Sequence, residues 1–173
     1  MPRYVALLRG VNVGGKNKLP MAELRAVCEA LGHTDVSTYI QSGNVVFTAA
    51  KAITPKALQA AIASELGVDC AVVLRTAKDL ERVTKDNPFA DADLSKVHVG
   101  FMAEKATAAN IAKIDAERFL PDEFVVRGCE LYLHLPGGMG RAKLPAYLDR
   151  QLKIPTTVRN WNTVTKLLEL TRG

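Results

Sequence analysis

The sequence contains no long apolar run, few aromatic residues and few cysteines. No apolar stretch approaches the roughly 20 residues that a helix needs to cross a bilayer. The first residues lead into a strand-like run and lack the charged head and apolar middle of a secretory signal. Apolar residues make up 48% and charged residues 24% of the 173-residue chain, as in an ordinary globular protein. We therefore expect a cytoplasmic protein of one domain or two small ones.

The few cysteines exclude a disulfide framework and a metal cluster. Cys28, Cys70 and Cys129 are far apart, and each lies in an apolar context. No two of them have the spacing of metal ligands, and the scattered histidines form no metal-ligand group with cysteines or carboxylates. We interpret all three as buried thiols, with a catalytic cysteine as the weaker alternative. The sequence predicts no metal site and leaves any cofactor unknown.

Positive charge is concentrated at the two ends of the sequence. Residues 1–25 carry a net charge of +4 and residues 141–173 one of +5, whereas residues 26–140 carry −4. If the two ends meet in space, they form a basic patch that attracts anions. Alternatively they form two separate solvated faces, and the charge pattern does not distinguish these arrangements.

Hydrophobic periodicity predicts the same order of elements twice along the chain. In the first half, strand, helix, strand, strand, helix and strand are predicted near residues 4–9, 20–31, 36–40, 45–47, 54–66 and 70–74. In the second half, the same order is predicted near residues 97–102, 107–114, 123–126, 130–135, 143–152 and 156–159. A linking helix, with Thr76 and Asp79 as its capping box, lies between the halves. A last helix begins near Asn162, and either Asn160 or Asn162 caps it.

This repeated order predicts the fold class. The split β-α-β pattern is the ferredoxin-like arrangement, so we predict an α+β protein of two tandem ferredoxin-like β-α-β-β-α-β modules with a linking helix and a C-terminal helix. The first module spans residues 1–76, and residues 77–173 hold the linking helix, the second module and the last helix. Alternatively the two parts form one compact unit. Many unrelated functions use this superfold, so it identifies none of them.

Five blocks of the sequence resemble a known bacterial family, the domain of unknown function 1697. They are residues 4–18, 38–47, 131–134, 138–144 and 157–167. The resemblance implies tandem ferredoxin-like modules, and it implies no catalytic residues because the family has no established activity. One departure concerns the turn that usually reads Gly-Arg-Ser-Lys-Leu in the family, because Ala142 stands here at the serine position. If the serine hydroxyl has a role in the family, this chain lacks it.

The first candidate ligand-binding segment is the loop 9–18, which follows a predicted strand and precedes a predicted helix. Glycines let backbone N–H groups approach a ligand and lysines add charge, which is how many phosphate sites are built. The glycine spacing differs from that of P-loops and dinucleotide-binding loops, and a turn with solvated lysines is the alternative. The candidate residues are Arg9, Asn12, Gly14, Gly15, Lys16 and Asn17.

A second glycine-rich loop, residues 136–143, again connects a predicted strand with a predicted helix. It contributes Arg141 and Lys143 as candidates, and a plain linking loop is the alternative.

The hairpin turn 41–44 contributes Ser42 and Asn44, although the turn alone would explain these residue types.

The third basic segment begins at the last predicted strand and runs into the last helix. Arg159, Asn160 and Trp161 are its candidates. The single tryptophan either covers the core at a helix start or stacks on a base or ring beside Arg159. If the two basic ends converge, these residues and the loop 9–18 form walls of one site.

Three functions remain open from the sequence. The chain is predicted to be an anion-binding module, whose ligand could be a nucleotide or a nucleic acid. Against an RNA-recognition domain, aromatic residues make up only 6% of the chain and the interleaved aromatic strand motif is missing. An enzyme acting on a phosphorylated or anionic small molecule is the first alternative, and a protein-interaction module is the second. No membrane partner is expected, and monomer and dimer are both open.

Overall fold

The computed structural model describes residues 2–12, 17–40 and 42–172. The chain divides into two compact units. Unit 1 is Met1–Arg82 with Lys166–Gly173, and unit 2 is Val83–Thr165. The module boundary between residues 76 and 77 stays a prediction.

Unit 1 has the strand order of a ferredoxin-like module. Its elements are β1 (Arg3–Leu8), α1 (Met21–Ala30), β2 (Thr34–Thr38), β3 (Asn44–Thr48), α2 (Pro55–Leu66) and β4 (Val72–Thr76). The strands form an antiparallel sheet in the order β2-β3-β1-β4. The linking helix α3 (Ala77–Lys85) follows β4 directly.

Unit 2 repeats this architecture. A single 3₁₀ turn (Leu94–Lys96) precedes β5 (Val97–Met102), α4 (Ala108–Ala112), β6 (Glu123–Arg127), β7 (Glu130–His134), α5 (Leu144–Leu152) and β8 (Thr156–Asn160). The sheet order is β6-β7-β5-β8, again antiparallel throughout. The last helix is α6 (Trp161–Arg172), so the chain has the predicted α+β fold of two ferredoxin-like modules.

Local capping residues explain where several helices begin and end. The Thr76 backbone N–H donates to Asp79 Oδ2 at 2.9 Å and the Asp79 N–H to Thr76 Oγ1 at 3.2 Å, which confirms the capping box of α3. The Thr163 N–H donates to Asn160 Oδ1 at 2.8 Å, so Asn160, and not Asn162, caps α6. Gly67 ends α2 with a left-handed φ of 68°.

Each sheet packs its helices against one face, and alternate residues of each strand point into that core. In unit 1 this core includes Ala6, Leu8, Val45, Phe47, Leu24, Leu58 and Ile62. In unit 2 it includes Met102, Leu131, Leu133, Leu144 and Leu148. The period of two along each strand therefore places the helix-facing residues as expected.

The opposite face of each sheet is also buried along its central strands. Val5, Leu7 and Val46 in unit 1, like Val99 and Phe101 in unit 2, have no solvent exposure. On this face of unit 1, Arg3 Nε donates to the Leu170 carbonyl of α6 at 3.2 Å. On this face of unit 2, the Tyr132 hydroxyl donates to the Val83 carbonyl of α3 at 2.8 Å. The end of α6 thus contacts this sheet face in unit 1, and the end of α3 contacts it in unit 2.

Within the described residues, no helix combines the length and apolar character required to cross a membrane.

Candidate functional site

Two asparagine amides close the first loop of unit 1. Asn12 Oδ1 accepts the Leu19 N–H at 2.7 Å, and Asn12 Nδ2 donates to the Leu19 carbonyl at 2.9 Å. Asn17 Nδ2 donates to the Gly10 carbonyl at 3.2 Å, and the Asn12 N–H donates to the Asn17 carbonyl at 3.1 Å. Both side chains therefore bind the backbone at the base of the loop. The predicted residues Gly14, Gly15 and Lys16 lie outside the described residues.

The hairpin turn between β2 and β3 packs against the start of this loop. The Leu8 N–H donates to the Gly43 carbonyl at 2.9 Å. A Cβ atom on Gly43 would lie 2.6 Å from Val11 Cγ2 and 2.9 Å from Leu8 Cβ, so no side chain fits there. Sequence reasoning noticed this glycine only as part of a turn. The close approach brings the first loop and the hairpin together at one end of the sheet of unit 1.

The predicted hairpin residues Ser42 and Asn44 form hydrogen bonds within the turn. Asn44 is fully buried, and its Nδ2 donates to the Tyr39 carbonyl and to Ser42 Oγ, both at 3.0 Å. Arg9 follows the last residue of β1 and is exposed, and its N–H donates to the Ala71 carbonyl at 3.0 Å. Among these residues, Arg9 is the one whose charge reaches the surface of unit 1 at this end.

The second glycine-rich loop, in unit 2, connects β7 with α5. The Leu135 N–H donates to the Lys96 carbonyl at 2.8 Å, and the Gly138 N–H donates to the Leu135 carbonyl at 2.9 Å. Gly138 has a φ of 89°, and a Cβ atom there would lie 3.9 Å from Lys96 Nζ. The Lys96 ammonium group therefore lies against the glycine-rich loop. Sequence reasoning missed Lys96 because it precedes β5, about 40 residues before this loop.

Two further cations stand at the start of α5. Arg141 and Lys143 are both exposed. Lys143 is the N-cap residue of α5, and its side chain caps no backbone N–H group. Pro145 occupies the first turn and has no N–H group, so α5 begins without the side-chain acceptor that usually satisfies a helix start. We call residues 136–143, together with Lys96, the α5 loop.

The third predicted segment lies at the same end of the sheet of unit 2. Asn160 is opposite His98 near the start of β5, and His134, the last residue of β7, is opposite Val97. The end of β8 and the end of β7 therefore flank the start of β5, about 10 Å apart across it. Asn160 is exposed and Trp161 is half-buried. The structure thus brings the second and third segments to one end of this sheet.

Arg159 lies on the sheet face away from α4 and α5, and its side chain is buried. Its Nη1 donates to Thr157 Oγ1 at 2.6 Å and to the Val158 carbonyl at 3.0 Å. Burial lowers the pKa of Arg159 from 12.5 to about 10, because the charged guanidinium is removed from water. Ligand binding by Arg159 stays a prediction, and the observed contacts are structural.

An arginine occupies the equivalent position in unit 1. Arg75 is the fourth residue of β4 and is opposite Val5, as Arg159 is the fourth residue of β8 and is opposite Val99. Arg75 is also buried, and its Nη1 donates to the Leu74 carbonyl at 2.9 Å. A buried arginine on the last strand is therefore common to both modules.

A buried histidine lies at the end of the sheet that carries the α5 loop. His98 is 9% exposed, and its Nδ1 has no hydrogen-bond partner within the part of the chain that the structure describes. Burial lowers the pKa of His98, so its ring is neutral at pH 7. Among the described residues, no group of three or more His, Cys, Asp or Glu side chains is arranged to hold a metal ion.

The predicted site residues thus fall into two sets. Arg9, Asn12, Asn17, Ser42 and Asn44 lie together in unit 1, and the set of Arg141, Lys143, Arg159, Asn160 and Trp161 lies in unit 2. Convergence of the two basic ends on one surface stays a prediction.

Comparison with known proteins gives a family and a structural neighbour. The model of the family described as "Protein of unknown function (DUF1697)" matches residues 1–132. The chain is also similar to the solved structure of conserved bacterial protein SP0830 from Streptococcus pneumoniae. The two share 27% sequence identity and a TM-score of 0.72, over 98% of this chain and 98% of that one. None of the curated proteins matches the chain. The blocks 138–144 and 157–167, with Ala142, lie beyond the residues that the family model matches.

Proposed function

The chain belongs to the DUF1697 family, and we propose that it is an anion-binding module whose main site is the α5 loop. The ligand is a nucleotide or another small molecule that carries a phosphate group. One observation carries this proposal: Lys96 Nζ lies near Gly138 of a glycine-rich turn, and exposed Arg141 and Lys143 follow this turn at the start of α5, which has no side-chain cap.

The physical reason is the charge at the start of α5. The first N–H groups of a helix point outward and carry a partial positive charge, which attracts anions. Phosphate groups bind at such helix starts when glycines allow the backbone to approach. Here exposed Arg141 and Lys143 and the ammonium group of Lys96 add full positive charges to that partial charge. A doubly charged phosphate is therefore favoured over a neutral ligand.

The buried sheet faces argue against binding of RNA in the manner of RNA-recognition domains. Those domains stack bases on aromatic side chains of an open sheet. In this chain the sheet face that would bind RNA is inaccessible to solvent at Val5 and Leu7 of β1 and at Val99 and Phe101 of β5. A nucleic acid would have to bind through the loops, so the compact phosphate ligand is the better match.

The first test measures binding of inorganic phosphate, AMP, ATP and a ten-nucleotide oligothymidylate by thermal shift and calorimetry. We expect saturable binding of at least one of the small phosphate compounds, with a modest dependence on salt. Affinity for the oligonucleotide that exceeds that for ATP and falls steeply with salt would instead indicate a nucleic-acid ligand. Absence of binding by all four probes would contradict the proposal and favour a protein-interaction module.

Matched variants locate the site. Arg141→Ala with Lys143→Ala removes two charges from the α5 loop, and Lys113→Ala with Arg150→Ala removes two exposed charges elsewhere in unit 2. The first pair is expected to weaken phosphate binding by at least about tenfold, since charge-assisted hydrogen bonds are lost. The second pair should leave affinity within about twofold. Equal losses in both pairs would show a general charge effect and no site.

A further inference from the structure

A groove lies in unit 1 between the end of α1 and the connection from β3 to α2. Its volume is about 470 Å³, and residues 31–33, 50–54 and Ala57 line it. β3 runs from Asn44, next to the Gly43 turn, to Thr48, and the groove follows Thr48. The groove is therefore at the opposite end of this sheet from the loop 9–18 and the hairpin.

The walls of the groove are mainly apolar. Leu31 is 45% exposed, so part of its side chain is available to a ligand. Ile53 is half-buried and packs on the core of unit 1. Ala50, Ala52 and Ala57 are small, so they leave space between these two larger side chains. Sites for small molecules have volumes of about 300–1,000 Å³ and such apolar walls, with a few polar groups that orient the ligand.

One residue that lines the groove, His33, has a buried ring nitrogen without a hydrogen-bond partner among the described residues. The His33 ring stacks on Phe47 with its centroid 4.4 Å away and an angle of 19° between the planes. Its Nε2 is buried and, among the described residues, has no hydrogen-bond partner. A buried nitrogen that lacks a hydrogen bond destabilises the fold. Burial also lowers the pKa of His33, which favours the neutral ring.

Among the described residues that line the groove, the charged one is a lysine. Lys51 is exposed on the connection before α2, and no acidic residue is among the described residues that line the groove. The groove also borders the start of α2, where Thr54 Oγ1 accepts the Ala57 N–H at 3.1 Å. The partial positive charge of this helix start adds to that of Lys51. An apolar ligand with one negative group complements both the walls and this charge.

We propose that the groove binds a small apolar carboxylate. Its hydrocarbon part lies between Leu31 and Ile53, its carboxylate is held by Lys51 beside the start of α2, and the His33 ring forms part of the groove wall. This site is separate from the α5 loop, and it does not depend on the anion binding proposed there.

A titration followed by backbone amide NMR tests the chemistry of the ligand. The probe is 3-phenylpropionate, compared with the neutral 3-phenylpropionamide and with acetate, which lacks the apolar part. We expect saturable shifts that centre on residues 31–33 and 50–57, and an affinity for 3-phenylpropionate at least about fivefold above that for the other two. Equal affinity for the amide, or shifts centred elsewhere, would overturn the proposal.

Two pairs of variants test the location. Ala57→Phe fills the groove, whereas Ala26→Phe adds the same bulk to an exposed position of α1. Lys51→Ala removes the charge of the groove, whereas Lys78→Ala removes an exposed charge from α3. We expect loss of 3-phenylpropionate binding in Ala57→Phe, a loss of about tenfold in Lys51→Ala, and unchanged affinity in both controls. Undiminished binding in Ala57→Phe would refute the site, and circular dichroism would establish that each variant is folded.

Discussion

The two modules share one scaffold but differ in the connections at the ends of their sheets. In unit 1 the glycine-rich loop follows β1, whereas in unit 2 it follows β7, the counterpart of β3. The connection after β5, residues 103–107, is short and contains no glycine. The connection after β3 borders the groove, and its counterpart after β7 is the α5 loop. Equivalent strands therefore present different chemistry, because loops can change without altering the sheet.

The hairpins differ in the same way. The turn between β6 and β7 consists of Gly128 and Cys129 alone, whereas five residues, 39–43, connect β2 with β3. A two-residue turn is determined by backbone geometry. The longer turn needs the Asn44 side chain and the close contact of Gly43 with β1. We therefore expect the hairpin of unit 1 to be the more sensitive to substitution.

The largest expected effect is that of Gly43→Ala. Gly43 has a φ of 86°, and an added Cβ atom would lie 2.9 Å from Leu8 Cβ. We expect a loss of about 3 kcal/mol in the free energy of unfolding, from left-handed strain and overpacking together. Gly128 has a φ of 60° and nothing within 4 Å of such an atom, so Gly128→Ala should lose only about 1 kcal/mol. Equal losses in urea denaturation would contradict the contrast between the hairpins.

Asn44→Ala is expected to cost about 2 kcal/mol in the free energy of unfolding, because it removes the fully buried Asn44 amide and leaves the part-buried Tyr39 carbonyl without this donor. Ser42→Ala removes one of the partners of Asn44 at a half-buried position, so its loss should stay below about 1 kcal/mol. Both values come from the same denaturation experiment. A larger loss in Ser42→Ala would show that the hydroxyl, and not the amide, supports the turn.

Alkaline pH should destabilise the core of unit 1 through its thiols. Burial, assisted by the charge of Glu29, raises the pKa of Cys28 from 9.0 to about 12. The unfolded chain therefore loses this proton from about pH 9, while the folded chain keeps it. The contribution to stability is full below pH 9 and is lost as pH rises towards 12, by up to about 1.4 kcal/mol per pH unit.

The measurement is the slope of the unfolding free energy against pH between about 9 and 10.5. Cys28→Ala should make this slope less negative, by an amount that corresponds to the release of up to one proton on unfolding. Val27→Ala, on the same helix and also buried, should lower stability but leave the slope unchanged. An identical slope in wild type and Cys28→Ala would refute the assignment.

The smallest perturbation is chemical labelling of the native protein. Cys28 has no exposure and Cys70 is 5% exposed, whereas Cys129 in the hairpin of unit 2 is half-buried. Burial also raises the pKa of Cys70 to about 11, which disfavours its reactive thiolate. We expect iodoacetamide to modify Cys129 first, at least about tenfold faster than the other two, by peptide mass spectrometry. Faster modification of Cys70 would show that the core of unit 1 opens more readily than its burial implies.

Strand positions show how far the sequence could predict the fold. The prediction placed β2 near residues 36–40 and β4 near 70–74, and the strands lie at Thr34–Thr38 and Val72–Thr76. The alternation of apolar residues locates each strand but does not determine where it begins and ends. Pairing resolves this, because Val73 lies opposite Leu7 and Arg75 opposite Val5.

The candidate sites were less predictable than the fold. Arg141 and Lys143 were identified from their glycine-rich context, but Lys96 was not, because its position beside Gly138 depends on pairing between β5 and β7. Arg159 was identified as a ligand-binding candidate from its charge, yet its side chain is buried beside Thr157. The groove combines the end of α1 with the start of α2, and no local pattern reports that proximity.

The sequence by itself determined the α+β class, the repeated order of strands and helices, and the helix cap at Thr76, and it limited the cap of α6 to Asn160 or Asn162. These features depend on periodicity and on hydrogen bonds between residues a few positions apart. Only the tertiary structure decided that the central strands are buried on both faces, that Lys96 lies close to Gly138, and that a groove opens beside Lys51. Each of these depends on contacts between segments distant in sequence, and the register and packing of the folded chain alone determine such contacts.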